Sequence, residues 1–234
     1  MKRSKFILLA LVAALVLMGA GYAAWTQTFT IDNNITTGEL FIKVELVQSG
    51  NKILVYNETD NKYVDLPENH YLGNILDFAV GKESGEKNRE GQSTLESLSC
   101  TIEQMHPGTK LIHTLKFTNL GTVKATTKAI SKSGENDEIA PETGHMPLWN
   151  DMILTVRKIK GDHEESRVIG QDTTGIDKFN SFKNALAWAV GDLDVGENVT
   201  VVIEQELPES SDNQTENIKN LVWKVILQFE QAFD

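Results

Sequence analysis

The 234-residue chain has one cysteine, Cys100, so no disulfide can form within it, and the fold must rest on its own apolar core. Proline is sparse at five residues, and aromatic residues make up 7% of the chain. That excludes a proline-rich extended linker protein. Basic residues are outnumbered, 22 against 33 acidic ones. Nucleic acid is therefore excluded as a partner, because neutralising phosphates needs clustered lysine and arginine. Beyond residue 25 no apolar run approaches membrane-spanning length. The chemical motifs are also missing. The chain has no Gly-x-Ser-x-Gly, no phosphate-binding loop, no dinucleotide-type glycine cluster and no pair of histidines at i, i+4. His163-Glu164 begins like a zincin helix, but Arg167 stands where the second histidine would be. Neither a catalytic residue nor a metal site is expected.

At the N-terminus, Lys2, Arg3 and Lys5 precede 13 uninterrupted apolar residues, 6–18, and then Gly19, Ala20, Gly21, Ala23 and Ala24. A positive n-region, an apolar h-region and small residues at the cleavage point make an export signal. Residues 1–23 are read as signal peptide, with cleavage between Ala23 and Ala24. The competing reading is a retained anchor. Residues 6–25 would reach roughly 30 Å as a helix, enough to cross a bilayer. Without Lys2, Arg3 and Lys5, the remaining 211 residues hold 19 basic and 33 acidic side chains, a net charge of −14.

The body alternates with period two. Leu40, Ile42, Val44 and Leu46 share one strand face, as do Leu111, His113, Leu115 and Phe117. Val199, Val201, Ile203 and Leu207 form a third such set, and Leu221, Trp223, Val225, Leu227 and Phe229 a fourth. Met152, Leu154 and Val156 make a shorter run. One apolar and one wet face per strand predicts an antiparallel sandwich. On this reading His113 is a core histidine and Cys100 a buried thiol. Pro107-Gly108 suits the centre of a type II turn, and Val195-Gly196 opens a strand the same way. Asn119-Leu120-Gly121 reads as a hairpin loop. Phe179, Phe182, Leu186 and Val190 recur at helical spacing, which predicts a helix over 177–190. A second helix is expected within 68–80. Residues 82–97, 132–146 and 160–175 read as exposed loops. The domain plan is an extended arm at 24–38 and one all-β, jelly-roll-like antiparallel sandwich at 39–234, with one or two short helices in its connections.

No cofactor is expected. Calcium is left open by oxygen-rich runs at Asp32-Asn33-Asn34, Asp60-Asn61, Asn136-Asp137-Glu138 and Asp212-Asn213, none of which has the EF-hand ligand order.

Four segments together resemble the TasA/camelysin family of Gram-positive bacteria. The first runs Met18-Gly19-Ala20-Gly21-Tyr22-Ala23-Ala24-Trp25-Thr26. The second is Ile35-Thr36-Thr37-Gly38-Glu39-Leu40. Pro107-Gly108 with Phe117-Thr118-Asn119-Leu120-Gly121-Thr122-Val123 makes the third. The fourth is Leu207-Pro208-Glu209-Ser210-Ser211-Asp212-Asn213-Gln214 with Phe229-Glu230-Gln231-Ala232. The resemblance implies a jelly-roll sandwich, export by a SipW-type signal peptidase, and secretion to the extracellular matrix or cell surface. It also implies self-association into biofilm matrix fibres, with other matrix proteins as further partners. Assembly would come from the mature N-terminal strand completing a neighbour's sheet, with Trp25, Phe29 and Ile31 as its pocket-seeking side chains. Two other readings stand beside this one: a camelysin-like cell-surface metallopeptidase, for which no zinc motif is present, and a membrane-tethered adhesin or binding module. The residues after Ala23 depart from the family's usual aromatic-Ser-Asp run.

Overall fold

The computed structural model describes residues 38–47, 52–66, 76–83, 93–102, 105–130, 138–211 and 221–232. The signal peptide, the arm, and with them Ala23, Ala24, Trp25, Phe29 and Ile31, lie outside these residues. From Gly38 onward the chain forms one compact unit.

That unit is an all-β antiparallel sandwich. Its strands are β1 (Ile42–Leu46), β2 (Lys52–Asn57), β3 (Lys62–Asp65), β4 (Leu76–Glu83), β5 (Ser93–Ile102) and β6 (Thr109–Asn119). They continue with β7 (Ala125–Ile130), β8 (Ile153–Lys160), β9 (His163–Ile169), β10 (Asn198–Leu207) and β11 (Leu221–Gln231). Two α-helices interrupt them, α1 (Met146–Asp151) and α2 (Gly175–Val190). The larger sheet runs β3-β2-β6-β10-β8-β9, and β1 joins the same edge of β6 as β2, one strand-length further along. The smaller sheet runs β4-β5-β11-β7.

Period-two patterning places the core. Along β6 burial alternates without a break, with Leu111, His113, Leu115 and Phe117 inward. Across the ladder Val201 sits opposite Leu115, and Ile203 opposite His113. The facing sheet contributes Leu98, Cys100, Ile102, Trp223, Val225, Leu227 and Phe229, all buried. Phe117 and Phe229 meet between the sheets at 6.2 Å. The thiol of Cys100 is buried, as expected.

The smaller sheet is too narrow to cover β8, and α2 fills the gap, packing against β7, β8 and β10. Its predicted apolar face, Phe179, Phe182, Leu186 and Val190, is buried. Each such side chain removed from water contributes roughly 1.5–3 kcal/mol. Phe182 stands edge-on to Trp223 at 5.0 Å and to Trp149 of α1 at 6.1 Å. The helix stops at Gly191, whose φ of 59° suits a residue without Cβ.

Four local expectations are corrected. Residues 76–80, expected within a helix, begin strand β4, which pairs residue by residue with β5; ladder bonds outweigh a weak helical pattern. Residues 93–97, expected in an exposed loop, open β5, whose backbone is satisfied by ladders to both β4 and β11, and Leu95, Glu96 and Ser97 are buried. Residues 163–169, also read as loop, form β9, hydrogen-bonded to β8 although exposed almost throughout. Finally, Asn119-Leu120-Gly121 is no hairpin: it carries the chain from β6 in one sheet to β7 in the other.

Candidate assembly site at the base of the N-terminal segment

Residues 38–41 enter the sandwich beside the loop that follows β6. The Thr122 N–H donates to the Glu39 carbonyl at 2.7 Å, and the Glu39 N–H donates to Thr122 Oγ1 at 2.8 Å. The Phe41 carbonyl accepts from the N–H groups of Leu120 at 2.8 Å and Gly121 at 3.1 Å. This approach requires two glycines. A Cβ on Gly121 would lie 2.2 Å from the Glu39 oxygen and 2.7 Å from the Phe41 nitrogen; one on Gly38 would lie 1.9 Å from Val123 Cγ1. At 121 only glycine lets the two backbones come so close, and at 38 a Cβ would have to displace the Val123 side chain.

Asn119, fully buried, holds the loop's shape. Its Nδ2 donates to the carbonyls of Val123 at 2.8 Å and Leu193 at 3.0 Å, and its Oδ1 accepts from the Gly121 N–H. A buried amide bonded this fully stabilises the conformation, and stranding any of its groups would cost about 1–3 kcal/mol. The turn at 194–197 docks onto the same residue through Gly196 N–H to the Asn119 carbonyl, at 2.9 Å. Phe41, Leu120 and Val195 are therefore gathered at one end of the sandwich, and all three are exposed.

The motif segments meet in pairs. Gly38, Glu39 and Leu40 meet residues 119–123, as described. The Gly108 N–H donates to the Leu207 carbonyl at 2.8 Å, and the Ala232 N–H to the Lys124 carbonyl at 2.9 Å. Both glycine turns take the expected form: Gly108 and Gly196 each have φ of 78°, and each turn closes with an i to i+3 bond, His106 to Thr109 and Asp194 to Glu197.

Directly after this anchor comes β1. Its inner edge pairs with β6 through residues 42–46. Strand β3 covers β2 but not β1, so among the described residues no strand pairs with the outer edge of β1. Its side-chain charges, Lys43 and Glu45, neutralise each other at 2.7 Å.

The solvent face of the larger sheet carries a chain of alternating charge. Tyr63 donates to Glu206 at 2.9 Å, and Lys110 lies 2.7 Å from Glu206 and 3.6 Å from Glu204. Arg157 reaches Glu204 at 2.6 Å and Glu164 at 2.9 Å. Burial, together with the bond to Glu206, raises the Tyr63 phenol well above its ordinary range. Sequence reading missed this network, because its members lie on strands far apart in the chain. It also missed the burial of Lys178 and Lys183 on α2. Lys178 donates to the Asn150 and Met152 carbonyls at the end of α1, and burial lowers its pKa to about 8. Lys183 pairs with Glu138 at 2.7 Å.

His113 is a core histidine, and burial lowers its pKa to about 4. His163-Glu164 lies on a strand, so zincin helix geometry does not arise. Among the described residues, no three histidine, cysteine or carboxylate groups are placed to hold a metal. The oxygen-rich runs at 32–34, 136–137 and 212–213 lie outside the described residues. Asp60-Asn61 forms the β2–β3 turn, where Asp60 accepts from the Asn57 amide.

No protein-family model, no curated protein and no solved structure matches the chain.

Proposed function

We propose that this protein is an exported structural subunit that assembles into extracellular matrix fibres, residues 24–38 of one copy adding as a strand to the sheet of the next. The observation that carries the reading is the outer edge of β1, which no strand covers among the described residues, next to the point where residues 24–38 join the sandwich. An edge strand offers unpaired N–H and C=O groups, and an extended segment satisfies them. The likeness of the motif segments to the TasA/camelysin family supports the same reading. So does the arm's composition. Residues 24–31 carry no charged side chain, and Trp25, Phe29 and Ile31 fall on one face at period two. The exposed Phe41, Leu120 and Val195 provide an apolar rim for such side chains. A body of net charge −14 repels itself, so salt, divalent cations or lower pH should favour assembly.

The test compares chains 24–234 and 38–234 by negative-stain electron microscopy. Filaments are expected from the first and none from the second. Filaments from both would defeat the arm mechanism, and filaments from neither would defeat assembly.

A further inference from the structure

The β8–β9 hairpin projects beyond the end of α2. Along its inward face Leu154 and Val156 are buried, and the alternation continues into Lys158 and Lys160. Across the ladder Lys158 faces Glu165, Lys160 faces His163, and Val156 faces Arg167. Beyond Val156 this inward face carries Lys158 and Lys160 in place of apolar side chains. It forms a half-open pocket of about 320 Å³, lined by Lys158, Lys160, His163 and Glu165. Trp188, in the last turn of α2, stands beside it, with the Arg167 guanidinium 4.2 Å from its ring centre and Lys158 Nζ at 5.9 Å.

Acidic residues are in excess, and most described cations find one, as Lys110, Lys128, Arg157 and Lys160 do. Lys158 and Arg167 have no carboxylate within 4 Å among the described residues, yet both converge on one aromatic ring. A guanidinium stacked on indole is held in place by its face and keeps its N–H edge free, a fork that matches a carboxylate. The surroundings set the ligand's charge. Lys158, Lys160 and Arg167 stand against Glu165 and Glu197, an excess of one positive charge that favours a carboxylate. The field of the lysines is felt nearby. Burial would raise the Glu197 carboxyl, but the Lys160 bond, the Asp194 N–H and the charges of Lys160 and Lys158 together hold it below its ordinary value.

We propose that this pocket is a carboxylate site, and that it takes an acidic peptide segment laid along the outer edge of β9. The edge decides for a peptide. Strand β9 ends its sheet, so among the described residues its outer N–H and C=O groups face no strand, and only another backbone matches their spacing. The inference rests on the described sandwich alone and does not require fibre assembly.

The test titrates capped hexaglutamate into the full chain, with amide chemical shifts of residues 163–169 and Trp188 fluorescence as readouts. Saturable shifts confined to β9 and the pocket are expected, with binding at least about tenfold weaker in Arg167→Gln and in Lys158→Gln. Lys116→Gln, on β6, should bind like the parent. A second arm uses a synthetic peptide of residues 207–217 of this chain. Its binding makes a second copy the partner, whereas binding of hexaglutamate alone makes it another protein; both outcomes support the site. Hexaglutamate binding no better than hexaglutamine would overturn the proposal. Unchanged affinity in both pocket variants would do the same, as would tighter binding of trigalacturonate or inorganic phosphate. Should either variant melt early, the shift map on the parent chain and the loss of binding between 50 and 500 mM salt decide alone.

Discussion

Among the described residues no strand covers either of two edges of the larger sheet, β1 and β9, and they are built differently. On β1 the charges of Lys43 and Glu45 cancel, and three exposed apolar side chains stand near, Phe41, Leu120 and Val195. On β9 every residue but Ile169 is exposed, and charge is dense, with His163, Glu164, Glu165 and Arg167 in five positions. Charged edge residues resist indiscriminate strand addition, whereas a neutral edge beside apolar groups does not. The two edges thus select different partners. A neutral, apolar extended segment suits β1, and the uncharged residues 24–31 are of that kind. At β9 the selecting group is the cationic pocket beside the edge, where Lys158 and Arg167 can meet a carboxylate, although the strand's own Glu164 and Glu165 outnumber Arg167. Separate selectivity lets one sheet engage two partners without competition.

The largest expected effect acts on both edges together, through the core they share. His113 lies on the inward face of β6, with an ordinary pKa of 6.5 lowered to about 4 by burial. The folded state favours the neutral ring, so His113 contributes full stability above pH 6.5. Below that value the unfolded chain binds a proton that the folded chain does not. Stability therefore falls with pH until about pH 4 is reached. The loss is about 2 kcal/mol between pH 7 and 5 and about 3 kcal/mol by pH 4. Urea titrations at pH 7, 6 and 5 measure it, and His113→Leu should flatten the slope in that window. A slope unchanged in the variant would assign the acid sensitivity to the carboxylates instead.

A smaller effect separates the edges. In Gly121→Ala the new Cβ meets backbone, the Glu39 oxygen and the Phe41 nitrogen, and backbone cannot step aside as a side chain does. Overpacking of this kind costs about 1–3 kcal/mol. The damage should concentrate where residues 38–41 meet the loop. Hydrogen exchange should quicken at the amides of Leu120, Gly121 and Thr122, which bond across this contact, while β9 amides change only with global stability. Equal loss of protection on β9 would show that the two edges are not independent.

How far these features were legible in sequence depends on what each feature is made of. Strands β6, β10 and β11 were readable because one face is dry and the other wet except at Val202 and Ile226, so nearly every residue reports its own side. Strand β5 was not, since both of its faces are covered near Leu95, Glu96 and Ser97 and the alternation is lost. Strand β9 failed for the opposite reason: with almost nothing buried, its pattern is that of a loop, and only its ladder to β8 makes it a strand. The glycines at 108 and 196 were legible from local turn chemistry, because φ > 0 is a property of the residue itself. The need for glycine at 121 was not, because it comes from Glu39 and Phe41, about 80 positions away. The β9 pocket is invisible for the same reason. Its Trp188 comes from a helix and its cations from a hairpin.

The smallest effect asks whether charge on the two edges also differs in energy. Lys43 and Glu45 form an isolated pair, each side chain about half exposed. Water competes for both groups, so Lys43→Gln should change stability by under about 0.5 kcal/mol. Arg157 stands differently. It bridges Glu204 and Glu164, and the Glu204 side chain is only 16% exposed. Removing its charge would leave Glu204 with Lys110 alone, at 3.6 Å. Arg157→Gln should therefore cost about 1 kcal/mol, the loss of a shared, partly desolvated contact. Salt distinguishes the two further. At 1 M salt the Lys43 difference should vanish, while part of the Arg157 difference survives because its partner is shielded from solvent. Urea midpoints for both variants at 0.05 and 1 M salt give the comparison directly. Equal costs at both salts would mean that the ionic chain on β6, β10, β8 and β9 is no stronger than one surface pair. The density of charge at β9 would then act on the choice of partner and not on the stability of the sheet.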